Sequence, residues 1–230
     1  MAGMSSLRRF AVILLSCGAC STQSNRAPAT ELSAPVVEKG NIDKGRTLYI
    51  TCSACHGDSG EGKAHLHAPS LANLDPWYAF TQLKNFKKGI RGYLSQDSTG
   101  VQMATVAQSL KDTTEMQDVI AYIETLADVK VISAAAGDIR KGERTYQTLC
   151  GSCHGPGAKG NELMHAPRLN GLEPWYIKSQ ITKFKTSLRG AHPEDAYGAP
   201  MVPMMALLKD EQAIDDVIAY IQSTVPTVGQ

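Results

Sequence analysis

Two short stretches carry residues able to do chemistry: "TCSACHGDSG" at 51–60 and "LCGSCHGPGA" at 149–158, each a Cys-x-x-Cys-His followed by Gly. Three chemistries begin with Cys-x-x-Cys. A redox dithiol sits at a helix N-terminus beside a βαβ pattern, and it has no use for a His directly after the second Cys; no βαβ pattern is visible here. A zinc site needs four mutually reachable ligands, whereas each copy offers three within five residues, and Cys and His at adjacent positions do not readily bind one ion. Covalent haem accounts for every residue. Two thiols at this spacing add to the two vinyl groups, and the next residue is then placed below the ring as the proximal iron ligand. The expectation is two covalently bound haem c groups, one on Cys52 and Cys55 with His56, the other on Cys150 and Cys153 with His154.

The two motifs lie 98 residues apart, and that offset holds without a gap to the end of the last helical pattern. His67-Ala68-Pro69 returns as His165-Ala166-Pro167, Pro76-Trp77-Tyr78 as Pro174-Trp175-Tyr176, Arg91-Gly92 as Arg189-Gly190, and "DVIAYI" at 118–123 as the same six letters at 216–221. Upstream of the cysteines the copies slip by one residue, Lys44-Gly45 pairing with Lys141-Gly142. One domain is written twice. Duplication filters the candidates for the second axial ligand, which should recur in both copies. Met103 and Met201 are the only methionines at matching positions. Met116, Met164, Met204 and Met205 have no methionine mate and read as core fillers, although Met204 is a near rival within "MVPMM". His67 and His165 also match and remain alternative ligands; their plainer role is as loop residues near the haem or in solvent. Trp77, Trp175, Tyr122 and Tyr220 read as aromatics around the haem and at helix crossings. Arg91 and Arg189 are candidates for pairing with haem propionates or for lining the domain contact, a solvated charge being the alternative.

Helices must position these groups. Asp112 can cap a helix with Glu115 three residues on, after which Met116, Val119, Ile120 and Ile123 share one face; Ile214, Val217, Ile218 and Ile221 do so after Asp210. A middle helix starts at Asp75-Pro76 and at Glu173-Pro174, with Pro where its missing N–H costs nothing. A short helix precedes each motif, from about Ile42 and Ile139, and each Met sits in a loop before the capped C-terminal helix. No stretch alternates with period two long enough for a strand. The expected fold is all-α, a tandem duplication, with 40–130 as the first domain and 131–230 as the second.

Residues 1–20 read as a signal peptide: Arg8 and Arg9 precede a short apolar run too brief to span a bilayer. Leu14-Leu15-Ser16-Cys17 resembles a lipoprotein cleavage box, making Cys17 the expected lipidated residue, with Cys20 after Gly18-Ala19 a worse match and ordinary cleavage near Ala19 the other alternative. Residues 21–39, rich in Ser, Thr, Ala and Pro, read as a flexible tether. The chain is then exported to a bacterial periplasm and held at a membrane surface, where free thiols are unusual. A formal net charge of +1 over 230 residues gives no nucleic-acid-binding character.

With "APxL" after each haem motif, "PWYxxxQLxxFxxGxRG", and "DVxAYI" closing each copy, the sequence resembles the diheme cytochrome c4 family over residues 41–223. The resemblance implies two class-I cytochrome c domains packed about a pseudo-twofold axis and His–Met ligation of both irons. It also implies that the carbonyls of Pro69 and Pro167 accept a hydrogen bond from the proximal His Nδ1. Thr105 departs from the pattern where the second copy has Pro203. The function expected is a non-enzymatic electron carrier. It would take single electrons from a quinol–cytochrome c reductase or periplasmic dehydrogenase and pass them to a terminal haem–copper oxidase. The rivals are a diheme enzyme, such as a peroxidase or thiosulfate-oxidising cytochrome, and a fixed cytochrome subunit of a membrane respiratory complex.

Overall fold

The computed structural model describes residues 39–129 and 136–225. The expected signal peptide, the expected lipidation residue Cys17 and nearly all of the segment read as a tether lie outside the described residues. The first copy runs α1 (Ile42–His56), α2 (Pro76–Lys87), α3 (Ser98–Ala107) and α4 (Thr113–Ile123). The second runs α5 (Ile139–Leu149), α6 (Gly151–His154), α7 (Pro174–Lys185), α8 (Met201–Ala206) and α9 (Glu211–Ser223). Among the described residues there are only two isolated antiparallel bridges, Lys63 with Ala68 and Asn161 with Ala166, so the fold is all-α. No described helix is long and apolar enough to cross a membrane.

In each copy the first helix crosses the last. Asn41 caps α1 through Lys44 N, and Asp138 caps α5 through Arg140 N and Lys141 N. The crossing is close because a glycine stands at it. A Cβ on Gly45 would come within 1.9 Å of Asp118 O, and one on Gly142 within 1.8 Å of Asp216 O. Asp118 and Asp216 secure the crossing by accepting from the N–H of Asn41 (2.6 Å) and of Asp138 (2.8 Å). Asp112 caps α4 through Thr114 N and Glu115 N, while Glu115 reaches back to Lys111 N rather than to the cap residue itself. The apolar faces of α4 and α9 are almost wholly buried, Met116, Val119, Ile120, Ile214, Val217, Ile218 and Ile221 all being at most 2% exposed. Each copy thus has its own core, and Leu74 packs against both.

Three elements differ from the sequence reading. The helix before the first motif is not short: α1 continues through Cys52 and Cys55 to His56. Met103 lies within α3 rather than in a loop, and Met201 is the first residue of the shorter α8. The prolines explain the difference between copies. Pro200 and Pro203 replace Gln102 and Thr105, and the missing N–H groups and the ring's clash with the preceding turn delay the helix. In the first copy Thr105 Oγ1 instead donates to Val101 O at 2.9 Å, a bond that needs helical backbone. Finally, Met164 is 54% exposed and is no core filler; it belongs to a 3-10 turn on the surface.

Both copies fall within one compact unit, related by reciprocal contacts that define the pseudo-twofold axis. Ser70 N donates to Glu173 Oε1 at 2.7 Å, and Arg168 N to Asp75 Oδ2 at 2.8 Å. His67 meets Trp175 edge-on at 6.3 Å between centroids, and His165 meets Trp77 at 6.2 Å.

Candidate haem sites

The α1–α4 crossing aims the motif. Tyr49, one turn before Cys52, is 3% exposed, packs on Tyr122 at 5.1 Å and donates its hydroxyl to Gly57 O at 2.8 Å. Tyr146 does the same with Tyr220 and Gly155 O, at 5.1 and 2.8 Å. Each helix ends directly after its His because Gly57 (φ 85°) and Gly155 (φ 72°) adopt a backbone conformation closed to most side chains. The chain then turns back, with Gly62 N on His56 O at 2.7 Å and Gly160 N on His154 O at 2.8 Å.

That return brings a proline carbonyl to each ring. His56 Nδ1 lies 2.8 Å from Pro69 O, and His154 Nδ1 lies 2.8 Å from Pro167 O. A carbonyl only accepts, so Nδ1 carries the proton and Nε2 presents its lone pair. Burial pulls both imidazoles below the usual histidine range, outweighing the opposing effect of the carbonyl, which keeps them neutral and ligand-competent. His56 Nε2 is buried without any hydrogen-bond partner. It faces a cavity of about 190 Å³ whose lining includes Cys52, Cys55, His56, Met103, Leu83 and Phe86.

These features separate the three chemistries. Burial, and then the neighbouring Cys55 and Cys153, push the thiols of Cys52 and Cys150 up to about 11, opposite to the lowered pKa of a reactive dithiol. Among the described residues no three His, Cys, Asp or Glu side chains converge as a metal-binding cluster, as a zinc site requires. An orphaned imidazole nitrogen in an apolar cavity with two thiols beside it fits covalent haem, held by Cys52, Cys55 and His56 and by their counterparts Cys150, Cys153 and His154. When bound, the haem supplies one-electron iron chemistry.

Met103 borders the same cavity as His56. Met201 is partly buried against the core of the second copy, and so is Met204, so packing alone does not choose between them. His67 also borders the first cavity, and both histidines adopt positive φ, 54° at His67 and 50° at His165, as they turn toward the other copy's tryptophan. The tryptophans are therefore domain-contact residues as much as pocket residues.

Arg91 and Arg189 lie at the domain contact, each 7% exposed. Arg91 donates to Gln82 Oε1 and to Gln180 Oε1, both at 2.8 Å. Arg189 donates to Gln180 Oε1 at 2.9 Å, to Gln82 Oε1 at 3.1 Å and to Tyr78 OH at 2.8 Å. Each guanidinium also stacks over a phenylalanine of its own copy, Phe86 and Phe184, at 4.5 Å. The sequence reading gave no role to Gln82 and Gln180, although both recur at the common offset inside "PWYxxxQ". The cavity beside His56 is walled partly by Trp175, Tyr176, Gln180 and Lys183, so the second copy completes the first haem site.

Comparison with known proteins agrees. The cytochrome c family model matches residues 42–127 and again 139–224. The chain is 27% identical over 192 residues to cytochrome c4 of Azotobacter vinelandii, covering 80% of this chain and 89% of that one. It is 30% identical over 185 residues to the Cbb3-type cytochrome c oxidase subunit FixP of Bradyrhizobium diazoefficiens, covering 78% of this chain and 60% of that one. The crystal structure of reduced recombinant cytochrome c4 from Pseudomonas stutzeri superposes with a TM-score of 0.61 at 26% identity, covering 80% of this chain and 98% of that one. With both haem motifs intact and the family model matched over each half, the chain belongs to the cytochrome c family, as a diheme electron-transfer member whose relatives include cytochrome c4.

Proposed function

We propose that this chain is a two-site relay that accepts single electrons from a quinol–cytochrome c reductase or a periplasmic dehydrogenase and delivers them to a terminal haem–copper oxidase. One observation carries the reading: residues of the second copy, Trp175 to Lys183, form part of the wall of the first haem cavity. A shared wall places the two redox sites in one body, so an electron entering at one can leave from the other without a second protein encounter. Met103 and Met201 are the methionines this reading assigns to the irons, opposite His56 and His154. With both positions closed, the chain transfers electrons and transforms no substrate. Lipidation at Cys17 would hold the carrier at the periplasmic face of a membrane.

The test is flash reduction of the oxidised holoprotein with substoichiometric electrons. A re-equilibration phase whose rate is independent of protein concentration is expected. A rate proportional to concentration would show two independent carriers sharing a chain. The likeness to FixP favours a second reading, a fixed oxidase subunit. Copurification with an oxidase from gently solubilised membranes, at constant stoichiometry, would select it over a diffusing carrier.

A further inference from the structure

Among the described residues the reciprocal interface contains one ion pair, and it has no mirror image. Lys183, on α7 of the second copy, reaches into the first. Its Nζ lies 2.6 Å from Asp97 Oδ1 and donates to Thr99 Oγ1 at 2.6 Å. Both partners are enclosed, the Lys183 side chain being 14% exposed and that of Asp97 1%. Asp97 in turn accepts from Gly100 N at 3.0 Å and so caps α3, the helix that carries Met103. Lys183, Thr99 and Gly100 all border the cavity that holds His56 and Met103.

The repeat predicts a mirror contact from the first copy to the second, and the residues for it are not there. The position matching Lys183 is Asn85, and the position matching Thr99 is Tyr197. The acidic partner is retained: Asp195 matches Asp97, is 6% exposed and caps the equivalent turn through Gly198 N at 2.9 Å. Among the described residues, Asp195 has no cationic group within ion-pair distance. The buried interface arginines, Arg91 and Arg189, occur once in each copy, as do the carboxylates Asp75 and Glu173, while Arg168 beside Asp75 matches Ser70. The second copy therefore lends one ammonium to the wall of the first haem site, and the first copy lends none in return.

A ferric haem carries one more positive charge than a ferrous one. A cation in the pocket wall destabilises the ferric form and raises the reduction potential; an uncompensated carboxylate does the reverse. We propose that Lys183 is a positioning residue for electron transfer that acts across the domain interface, raising the potential of the first haem above that of the second and so biasing a shared electron toward the first. The step moves one electron between two irons, with no bond made or broken. The proposal rests on the two-haem reading but not on the relay's speed, since potentials are equilibrium quantities and the flash experiment above tests the rate.

Three substitutions in the holoprotein test it. Lys183→Asn copies into the second domain what the first already tolerates. Lys183→Arg keeps the charge. Asn85→Lys supplies the missing mirror contact. The readout is an optical redox titration resolving two one-electron waves, each assigned to its haem by NMR of the haem methyl groups, with thermal melting alongside. Lys183→Asn should lower the first haem's potential and change the internal electron distribution about tenfold, the scale of one unit charge in the wall of a pocket at an effective dielectric near 20. A tenfold change corresponds to about 59 mV for one electron. Lys183→Arg should leave the waves near their original separation, although it perturbs packing more than charge. Asn85→Lys should raise the second haem's potential. If Lys183→Asn melts normally and leaves the first wave unmoved, or moves the second instead, the proposal is overturned. If Lys183→Asn fails to assemble, Asn85→Lys decides: an unmoved second wave overturns the proposal as well.

Discussion

Replacing Gly142 by Ala should destabilise the protein, against the ordinary gain of putting Ala in a helix. Propensity alone predicts that the change helps by about 1 kcal/mol. The structure opposes it. The new Cβ would lie 1.8 Å from Asp216 O and 2.5 Å from the carbonyl carbon, about 1.5 Å inside ordinary contact. The obstacle is backbone, so no side chain can rotate away, and α5 must part from α9. Parting strains the bond from Asp138 N to Asp216 Oδ1 and the seating of Tyr146, which is 1% exposed. Overpacking of this kind costs about 1–3 kcal/mol, and a backbone obstacle puts the cost at the upper end. The net loss is then about 2 kcal/mol. For a unit of this size, at about 2–4 °C per kcal/mol, Tm should fall by about 4–8 °C. The assay is a thermal melt of the holoprotein followed by circular dichroism, with Gly151→Ala as the control. Gly151 also lies in a helix, but its added Cβ would meet only Tyr146, at 3.4 Å or more, and the first copy already has Ser53 there. The control should be neutral or slightly stabilising. If Gly142→Ala melts at or above the wild-type temperature, the close crossing is not what positions the motif.

Replacing Met103 or Met201 by Ala should open one iron, so that carbon monoxide binds rapidly to the reduced protein at that site alone, while Met204→Ala should not; rapid binding to the wild type would favour the enzyme reading instead. Burial raises the carboxyl of Glu173 above its usual range, against the opposing bond from Ser70 N. Such a group contributes stability that is full below its unfolded pKa and is lost as pH rises through the higher folded value. Glu173→Gln keeps an acceptor for Ser70 N and removes that loss, so its Tm relative to wild type should be higher at pH 7 than at pH 4; an equal difference at both would refute the assignment. Cys17→Ser should release processed protein to the soluble fraction or block processing; if only Cys20→Ser does so, the anchor lies at Cys20, and if neither does, the segment is an ordinary cleaved signal.

The attachment chemistry was legible in the sequence because it is local. Two thiols and an imidazole within five residues have one common use, and the repeat, the helix caps at Asp112 and Asp210 and the apolar faces of α4 and α9 are equally matters of spacing along one chain. The single-residue slip upstream of the motifs was visible as an offset, but the backbone-to-backbone crossing at Gly45 and Gly142 was not. Contacts across the two copies were hidden, because spacing within one segment carries no information about which distant segment faces it. Asp75 and Glu173 look like N-caps, yet neither caps its own helix; each gives its carboxylate to a backbone N–H of the other copy, at 2.8 and 2.7 Å. Arg91 and Arg189 read as propionate partners, domain-contact residues or solvated charges until packing buried both against Gln82 and Gln180 at the domain contact. A comparison of the repeats does show Lys183 facing an Asn at its matched position. Only the tertiary structure makes that difference electrostatic, by enclosing the ammonium against Asp97, where little water is left to screen it.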